Sequence, residues 1–402
     1  MIGMRIAITG IRGIPGRYGG FETFVEHLAP ALVGAGHEVL VVNRPHYRLS
    51  APTYKGVDIV TLPTVHNKFL DTFVHTWLAL MFITARRNPV DIVLVCNVGN
   101  SPVAWLPRIR GIPVVLNVDG LEWQRKKWPA VAKWYLRHCE WIATHTATRV
   151  VTDARVIQRY YAEHFRCDST MIPYGALAET ELYPSDHQSL RAMRLESGKY
   201  FLYVSRLEPE NNAAMVIEAF QRAAQGLHGI KLALVGDAPY GDRYKAGLHA
   251  LAQGEDRIVM PGGIYGDRYH LLQRHTLAYI HATSVGGTHP ALIEGMAHGN
   301  IILLYHTPEN AEVAGDGAIP FTDAESLASL LVRVAEDPMA FTDYRQIAAD
   351  RARRIYSWPV VTKQYEALFR AVIGGQPRLA EPTTDHPESH VGLAAVSEHT
   401  HE

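Results

Sequence analysis

Ser284-Val-Gly-Gly-Thr-His-Pro-Ala-Leu-Ile-Glu-Gly-Met-Ala-His-Gly299 is the stretch on which the reading of this chain turns. An apolar run with strand character, residues 277–282, precedes it, and a second, residues 301–305, follows it. The short helix between them has readable ends: Pro290 suits the first helical position and Gly299 the left-handed stop. Gly286, Gly287 and Thr288 therefore lie in a loop that feeds a helix N-terminus. Unpaired N–H groups and the positive end of the helix dipole favour an anion there, and the missing side chains let a diphosphate approach the backbone. Glu294, about one turn further in, is placed to accept hydrogen bonds from the hydroxyls of a nucleoside sugar. Strand, glycine loop, helix and strand also follow one another in every doubly wound domain, so a purely structural turn stays open at this point.

The same alternation extends outward in both directions. Strands are expected at residues 5–9, 38–43, 58–62, 91–96, 113–118, 148–152 and 170–173, then from 200 and at 231–236 and 257–260. Helices are expected at 21–33, 69–87, 154–164, around 269–275, and at 325–336 and 360–373. Periodicity lapses over residues 176–198, which reads as a linker. The pattern predicts an α/β protein of two doubly wound, Rossmann-like parallel-sheet domains facing across a cleft, residues 1–184 and 185–359. Residues 374–402 are rich in Pro, Thr, Ser, His and Glu with little apolar content, and a disordered tail is expected there.

Composition excludes several classes. A length of 402 residues fits two domains plus an extension, and 47% apolar residues with a net charge of −1 describe an ordinary globular protein. Nothing in that balance indicates nucleic acid. Cys96, Cys139 and Cys167 are odd in number and widely spaced, so neither a disulfide framework nor a zinc pattern is expected, which fits a reducing cytosol. The N-terminus enters a strand directly, without the look of a signal peptide. The most apolar stretch, residues 69–85, is too short for a membrane span and reads as a buried or surface-docking helix.

The first loop, Gly10-Ile-Arg-Gly-Ile-Pro-Gly-Arg-Tyr-Gly-Gly20, invites a nicotinamide-dependent epimerase or dehydrogenase reading through Gly10, Gly13 and Gly16. Three features oppose it. Pro15 and four further residues separate the glycines from the helix, and the second strand ends in Asn43-Arg44 without a ribose-binding carboxylate. No Tyr-x-x-x-Lys pair occurs.

Three stretches carry a family resemblance. Residues 286–299 look like the donor-site segment of GT-B glycosyltransferases of family 4 (group 1). Ile14-Pro-Gly-Arg-Tyr-Gly-Gly-Phe-Glu-Thr-Phe-Val-Glu-His-Leu28 resembles the opening loop of that family. Asn117-Val-Asp-Gly-Leu-Glu-Trp-Gln-Arg-Lys-Lys-Trp128 resembles its bacterial rhamnosyltransferase-like (DUF1972) branch. The resemblance implies a GT-B fold whose last helix, 360–373, crosses back to the first domain. It implies that Gly19 and Gly20 approach the donor diphosphate, that Arg206 and the Asn211 position hold donor phosphates, and that Gly286, Gly287, Thr288 and Glu294 complete the donor site. Two departures stand out: the family's first glutamate falls on Gly286, and its lysine falls on Asn211.

Asp119, at a strand end, is the candidate catalytic residue beside the acceptor hydroxyl, with a simple turn role ahead of Gly120 as the alternative. Glu122, Trp123, Arg125, Lys127 and Trp128 are the candidate acceptor or membrane edge, and a helix with a wet basic face is the plainer reading of that region. Arg17 is a candidate phosphate contact or a solvated loop residue. No Asp-x-Asp motif occurs, so no metal and no cofactor are expected.

The implied activity is transfer of a hexosyl group, best L-rhamnose from dTDP-rhamnose, from a nucleotide diphosphate sugar to a saccharide hydroxyl. The acceptor is expected to be lipid-diphosphate-linked, in cell-surface polysaccharide synthesis, with the protein cytoplasmic or peripheral at the inner membrane face. A catalytically silent GT-B subunit that only binds sugar nucleotide is the rival that the two departures motivate.

Overall fold

The computed structural model describes residues 3–16, 19–47, 49, 51–65, 71–125, 128–177, 181–238 and 241–375. Arg17, Lys127 and nearly all of the expected tail lie outside the described residues. Two sheets organise the chain. The first runs Thr53–Tyr54, Val57–Thr61, Glu38–Asn43, Arg5–Thr9, Ile92–Cys96, Val114–Asn117, Arg149–Thr152, Thr170–Met171, and only its first pair is antiparallel. The second runs Ile258–Gly262, Lys231–Val235, Tyr200–Val204, Ala278–His281, Ile302–Tyr305, Ile319–Phe321, parallel throughout.

Parallel strands covered on both faces read as continuous apolar runs, and all five residues of Ile92–Cys96 are buried. The two-residue period of a strand divides each one between two cores. Ile6, Ile8, Val39 and Val41 face Phe24 and Leu28 of the helix Gly20–Gly34. Ala7, Leu40 and Val42 face Ala79, Leu80 and Ile83 of the helix Asp71–Ala85. Among the described residues no helix is long and apolar enough to cross a membrane.

Within the aperiodic stretch the chain forms a short helix, Asp186–Ala192. Seven residues are too few for a periodic signature, and what holds this helix is tertiary: Asp186 Oδ2 lies 2.9 Å from His275 Nε2 and 3.5 Å from Arg274 Nη2.

Among the links that join the halves at the carboxyl edges of the sheets, where the site forms, three are made by helices. The last helix, Trp358–Ile373, packs on Gly20–Gly34 of the first half, with Trp358 and Phe24 ring centroids 6.2 Å apart. On the same helix the Tyr365 hydroxyl accepts a 2.9 Å hydrogen bond from Asn117 Nδ2. The third link is a helix cap supplied from the other half. The helix Arg155–Phe165 begins at Ala154, which cannot cap it, and the Glu312 carboxylate accepts from Arg155 N–H at 2.6 Å and Val156 N–H at 2.8 Å. An anion on those orphan amides is favoured by the helix dipole.

Glu312→Ala removes that cap and should lower unfolding stability by about 1–2 kcal/mol, the worth of a good N-cap. Urea unfolding measures it, and an unchanged midpoint would show that the link contributes nothing.

Candidate active site

The loop before the helix Pro290–Ala297 lies against the first half. A Cβ built on Gly120, in the first half, would lie 3.0 Å from Gly287 N and 3.3 Å from Gly286 Cα. Gly286 adopts φ +142°, and a Cβ there would lie 2.5 Å from the His289 ring. This explains the absent first glutamate: a side chain at Gly286 would collide with His289. Burial, then His281, Arg125 and Arg206, pull the His289 pKa well down, so its imidazole is neutral.

Thr288 donates from its backbone N–H to Asp153 Oδ2 at 2.7 Å and from its hydroxyl to the Asp153 carbonyl at 2.6 Å. A Cβ on Gly287 would lie 2.2 Å from Asp153 Oδ1. The anion cradle expected for a diphosphate is thus occupied, in this structure, by a carboxyl group of the opposite half. Burial, with the Asp119 charge added, pushes the Asp153 pKa well above the usual carboxylate range, and its buried Oδ1 has no partner. Sequence reading missed Asp153. Its signal was available, because it directly follows the parallel strand Arg149–Thr152 just as Asp119 follows shortly after Val114–Asn117.

Asp119 holds φ +62°, a left-handed conformation that costs a non-glycine residue about 1–3 kcal/mol and clusters at functional sites. Its N–H donates to Asn117 Oδ1 at 3.0 Å, and its Oδ1 accepts from the Tyr174 hydroxyl at 2.8 Å. Burial raises its pKa, opposed by the Tyr174 hydrogen bond and by Arg125 and Arg206. Those arginines come from different halves and share one carboxylate: Glu208 Oε2 lies 3.8 Å from Arg125 Nη1 and 3.9 Å from Arg206 Nη1. Arg206 remains about a third exposed, so its guanidinium is open to a ligand.

Glu294 is buried on the helix Pro290–Ala297, and its Oε2 accepts from the Tyr269 hydroxyl at 2.6 Å. Burial pushes its pKa up to about 7, against the pull of the Tyr269 hydrogen bond. Among the described residues no three His, Cys, Asp or Glu side chains converge as metal ligands.

Several expected roles need correction. Asn211 does not present its amide to a phosphate. It is buried, and Nδ2 donates to the Arg206 carbonyl at 2.6 Å, fixing the loop that carries Arg206. At Gly19 a Cβ would lie 2.1 Å from Glu22 Oε2, whereas Gly20 has free space around it. Among its described residues, the expected acceptor or membrane edge is half-buried, with Arg125 buried outright. Arg125 is buried and its Nε lies 2.6 Å from Glu122 Oε2; Trp128 Nε1 donates to Glu122 Oε1 at 3.1 Å. Trp123 packs on the first-half core beneath the Arg137 guanidinium, 4.8 Å from its ring centroid. Charge pairing and packing within the loop engage Glu122, Trp123, Arg125 and Trp128, groups that the sequence presented as an outward face.

Comparison with known proteins places the two halves in families. Residues 4–177 match the family described as "Domain of unknown function (DUF1972)", and residues 190–354 match "Glycosyl transferases group 1". A lipopolysaccharide 1,2-N-acetylglucosaminetransferase of Salmonella typhimurium is 24% identical over 237 residues, covering 55% of this chain and 62% of the relative. The chain therefore spans less than two thirds of that relative's length. A phosphatidyl-myo-inositol mannosyltransferase of Mycolicibacterium smegmatis is 22% identical over 399 residues, covering 89% and 91%. Among solved structures, sucrose-phosphate synthase from Thermosynechococcus elongatus has a TM-score of 0.76 at 17% identity, covering 93% of this chain and 100% of that one. HepE of Anabaena, solved with UDP and glucose, has a TM-score of 0.73 at 16% identity, covering 92% and 100%. The fold they share with this chain is GT-B.

A carboxyl with a pKa of about 7 gives the Glu294 assignment a pH signature. Ligand hydroxyls donate to the ionised form, so nucleoside diphosphate affinity should rise by about tenfold between about pH 6 and about pH 8, with proton release on binding. Calorimetry on the protein and on Glu294→Gln separates this from titration of the phosphates. An identical pH dependence in the two proteins would remove Glu294 from the ligand's surroundings.

Proposed function

With a DUF1972 domain ahead of a group 1 glycosyltransferase domain in a GT-B fold, the chain is, we propose, a glycosyltransferase that moves a sugar from a nucleotide diphosphate to a hydroxyl of a saccharide acceptor. The single observation that carries this reading is the meeting, within one cleft, of Asp119, Arg206 and the Gly286–Thr288 loop at the carboxyl edges of both sheets. Residues 1–184 form the acceptor side and residues 185–359 the donor side. Arg206 and the loop amides hold the diphosphate and stabilise the charge that develops on it as the glycosidic bond breaks. Donor entry replaces the Asp153 carboxyl at Thr288 N–H with a phosphate oxygen, an exchange eased because Asp153 is held toward its neutral form.

Glu294 receives hydroxyls of the nucleoside sugar. Asp119 orients the attacking acceptor hydroxyl and takes up its proton, and the Tyr174 hydroxyl and the Arg125–Glu208–Arg206 chain fix its place. The donor sugar we propose is a hexose, L-rhamnose from dTDP-rhamnose being the first choice. We place the acceptor on a lipid diphosphate at a membrane surface, in cell-surface polysaccharide assembly. The names of the Salmonella and mycobacterial relatives, which refer to lipopolysaccharide and to phosphatidyl-myo-inositol, support that direction.

The experiment is Asp119→Asn. Asparagine tolerates the left-handed backbone that φ +62° requires, so stability should change little. Turnover should fall by about tenfold or more, the lower range for loss of a general base, while nucleotide sugar affinity stays within about threefold. Full activity would return Asp119 to the role of a turn residue. A wild-type protein that binds nucleotide sugars and transfers none of them would support the silent-subunit reading.

A further inference from the structure

The helix Asp71–Ala85 carries no charged residue after Asp71 and is mostly apolar. Such a helix is ordinarily buried on every side. Here Trp77 and Met81, one turn apart on the same face, are 43% and 49% exposed. A second exposed stripe runs along the helix Ala130–Thr146, where Val131, Trp134 and Trp141 are all exposed, Trp134 to 62%. Trp134 lies on His138 with ring centroids 4.0 Å apart, and Trp141 on His145 at 4.4 Å.

The segment Leu106–Arg110 joins these two stripes, with Ile109 68% exposed between two arginines. Arg108 Nη1 donates to the carbonyls of His145 and Thr146 at 3.1 and 3.0 Å, at the end of one helix. Arg110 Nη1 donates to the carbonyls of Thr84 and Arg86 at 2.7 and 3.1 Å, at the end of the other. The two helix ends are therefore tied to one segment, and their exposed apolar residues together exceed the scattered single residues normal for a soluble protein.

Charge identifies what covers this surface. Arg86, Arg87, Arg108, Arg110 and Arg137 border it. The carboxylates of the same span are engaged elsewhere: Asp71 with Arg44, Asp91 with Arg5, Glu122 with Arg125, Asp119 in the cleft and Glu140 buried. A second copy docked on this face by a two-fold axis would set arginine against arginine with no carboxylate between them. Tryptophan and arginine together instead suit an interface that is apolar on one side and anionic above, with indoles at headgroup level and guanidinium groups on headgroup phosphates.

We propose that this face, formed by Trp77, Met81, Ile109, Val131, Trp134 and Trp141, docks the protein on an anionic phospholipid bilayer. Both helices follow strands of the first sheet, so the docking face belongs to the acceptor half of the chain. The inference deepens the lipid-linked acceptor reading, and its test is independent of sugar transfer.

The test is co-sedimentation of the full chain with vesicles of equal parts phosphatidylcholine and phosphatidylglycerol, with tryptophan fluorescence read in parallel. The protein should bind with a blue shift, bind far less to pure phosphatidylcholine, and release as salt screens the arginines. Trp134→Ser with Trp141→Ser, and separately Ile109→Glu, alter exposed side chains and should leave melting unchanged while weakening vesicle binding by about tenfold or more. Absence of binding by the unaltered protein, or variants that bind as it does, overturns the proposal. Equal binding to neutral and anionic vesicles overturns the anionic assignment. A dimer in sedimentation velocity that the variants abolish, with vesicle binding intact, makes a second copy the occupant and overturns it as well.

Discussion

The backbone contact between Gly120 and the Gly286–Gly287 loop is the constraint on which this structure depends. Two α/β sheets can bring their carboxyl edges together only where the opposing loops lack side chains, and a Cβ on Gly120 would already stand 3.0 Å from Gly287 N. From that approach follow the hydrogen bonds from Thr288 to Asp153 and the arginines of both halves on one glutamate. A few ångströms more between the loops would leave two separate nucleotide-fold domains and no shared site.

The same closeness sets the electrostatics. Asp119 and Asp153 come from neighbouring strands of the first sheet and lie under the lid that the second half provides. Desolvation raises both carboxyls, and the Asp119 charge raises Asp153 further. Arg125 and Arg206 counter this for Asp119, and the same two arginines help hold His289 neutral. Opposed and partly compensated charges of this kind are what a site for a diphosphate and a hydroxyl nucleophile requires: cations for the leaving group, and a carboxyl whose proton affinity is not fixed at the bulk value.

Further from the cleft, the links between the halves are few and specific. The Trp358–Ile373 helix and the Glu312 cap lie outside the proposed donor loop in the chain, and each ties one sheet to the other. The exposed aromatic face lies wholly in the first half. The surface proposed to meet lipid and the loop proposed to meet the nucleotide are therefore on different bodies, joined through the cleft between them.

Much of the fold was legible in the sequence because its signals are local. Strand Glu38–Asn43, strand Arg5–Thr9 and the helix start at Pro290 follow from apolar runs, two-residue and helical periods, and proline and glycine at element ends. Glu294 and Asp119 were legible as site candidates because strand ends and helix first turns carry ligands in such sheets, and Arg206 through the family resemblance. What stayed hidden depends on who faces whom. Asp153 stands beside Thr288 across 135 positions of chain, and Asn211 spends its amide on a carbonyl five residues away. Trp123, Arg125 and Trp128 form a basic and aromatic run in sequence, but pairing with Glu122 and packing on the core turn them inward. The apolar helix Asp71–Ala85 read as buried or docking, and only the folded chain shows which face is left uncovered. Sequence determines which elements form, because propensity and period act over a few residues. Tertiary structure alone decides which of their polar and aromatic groups remain free, because each such group takes the nearest partner in space.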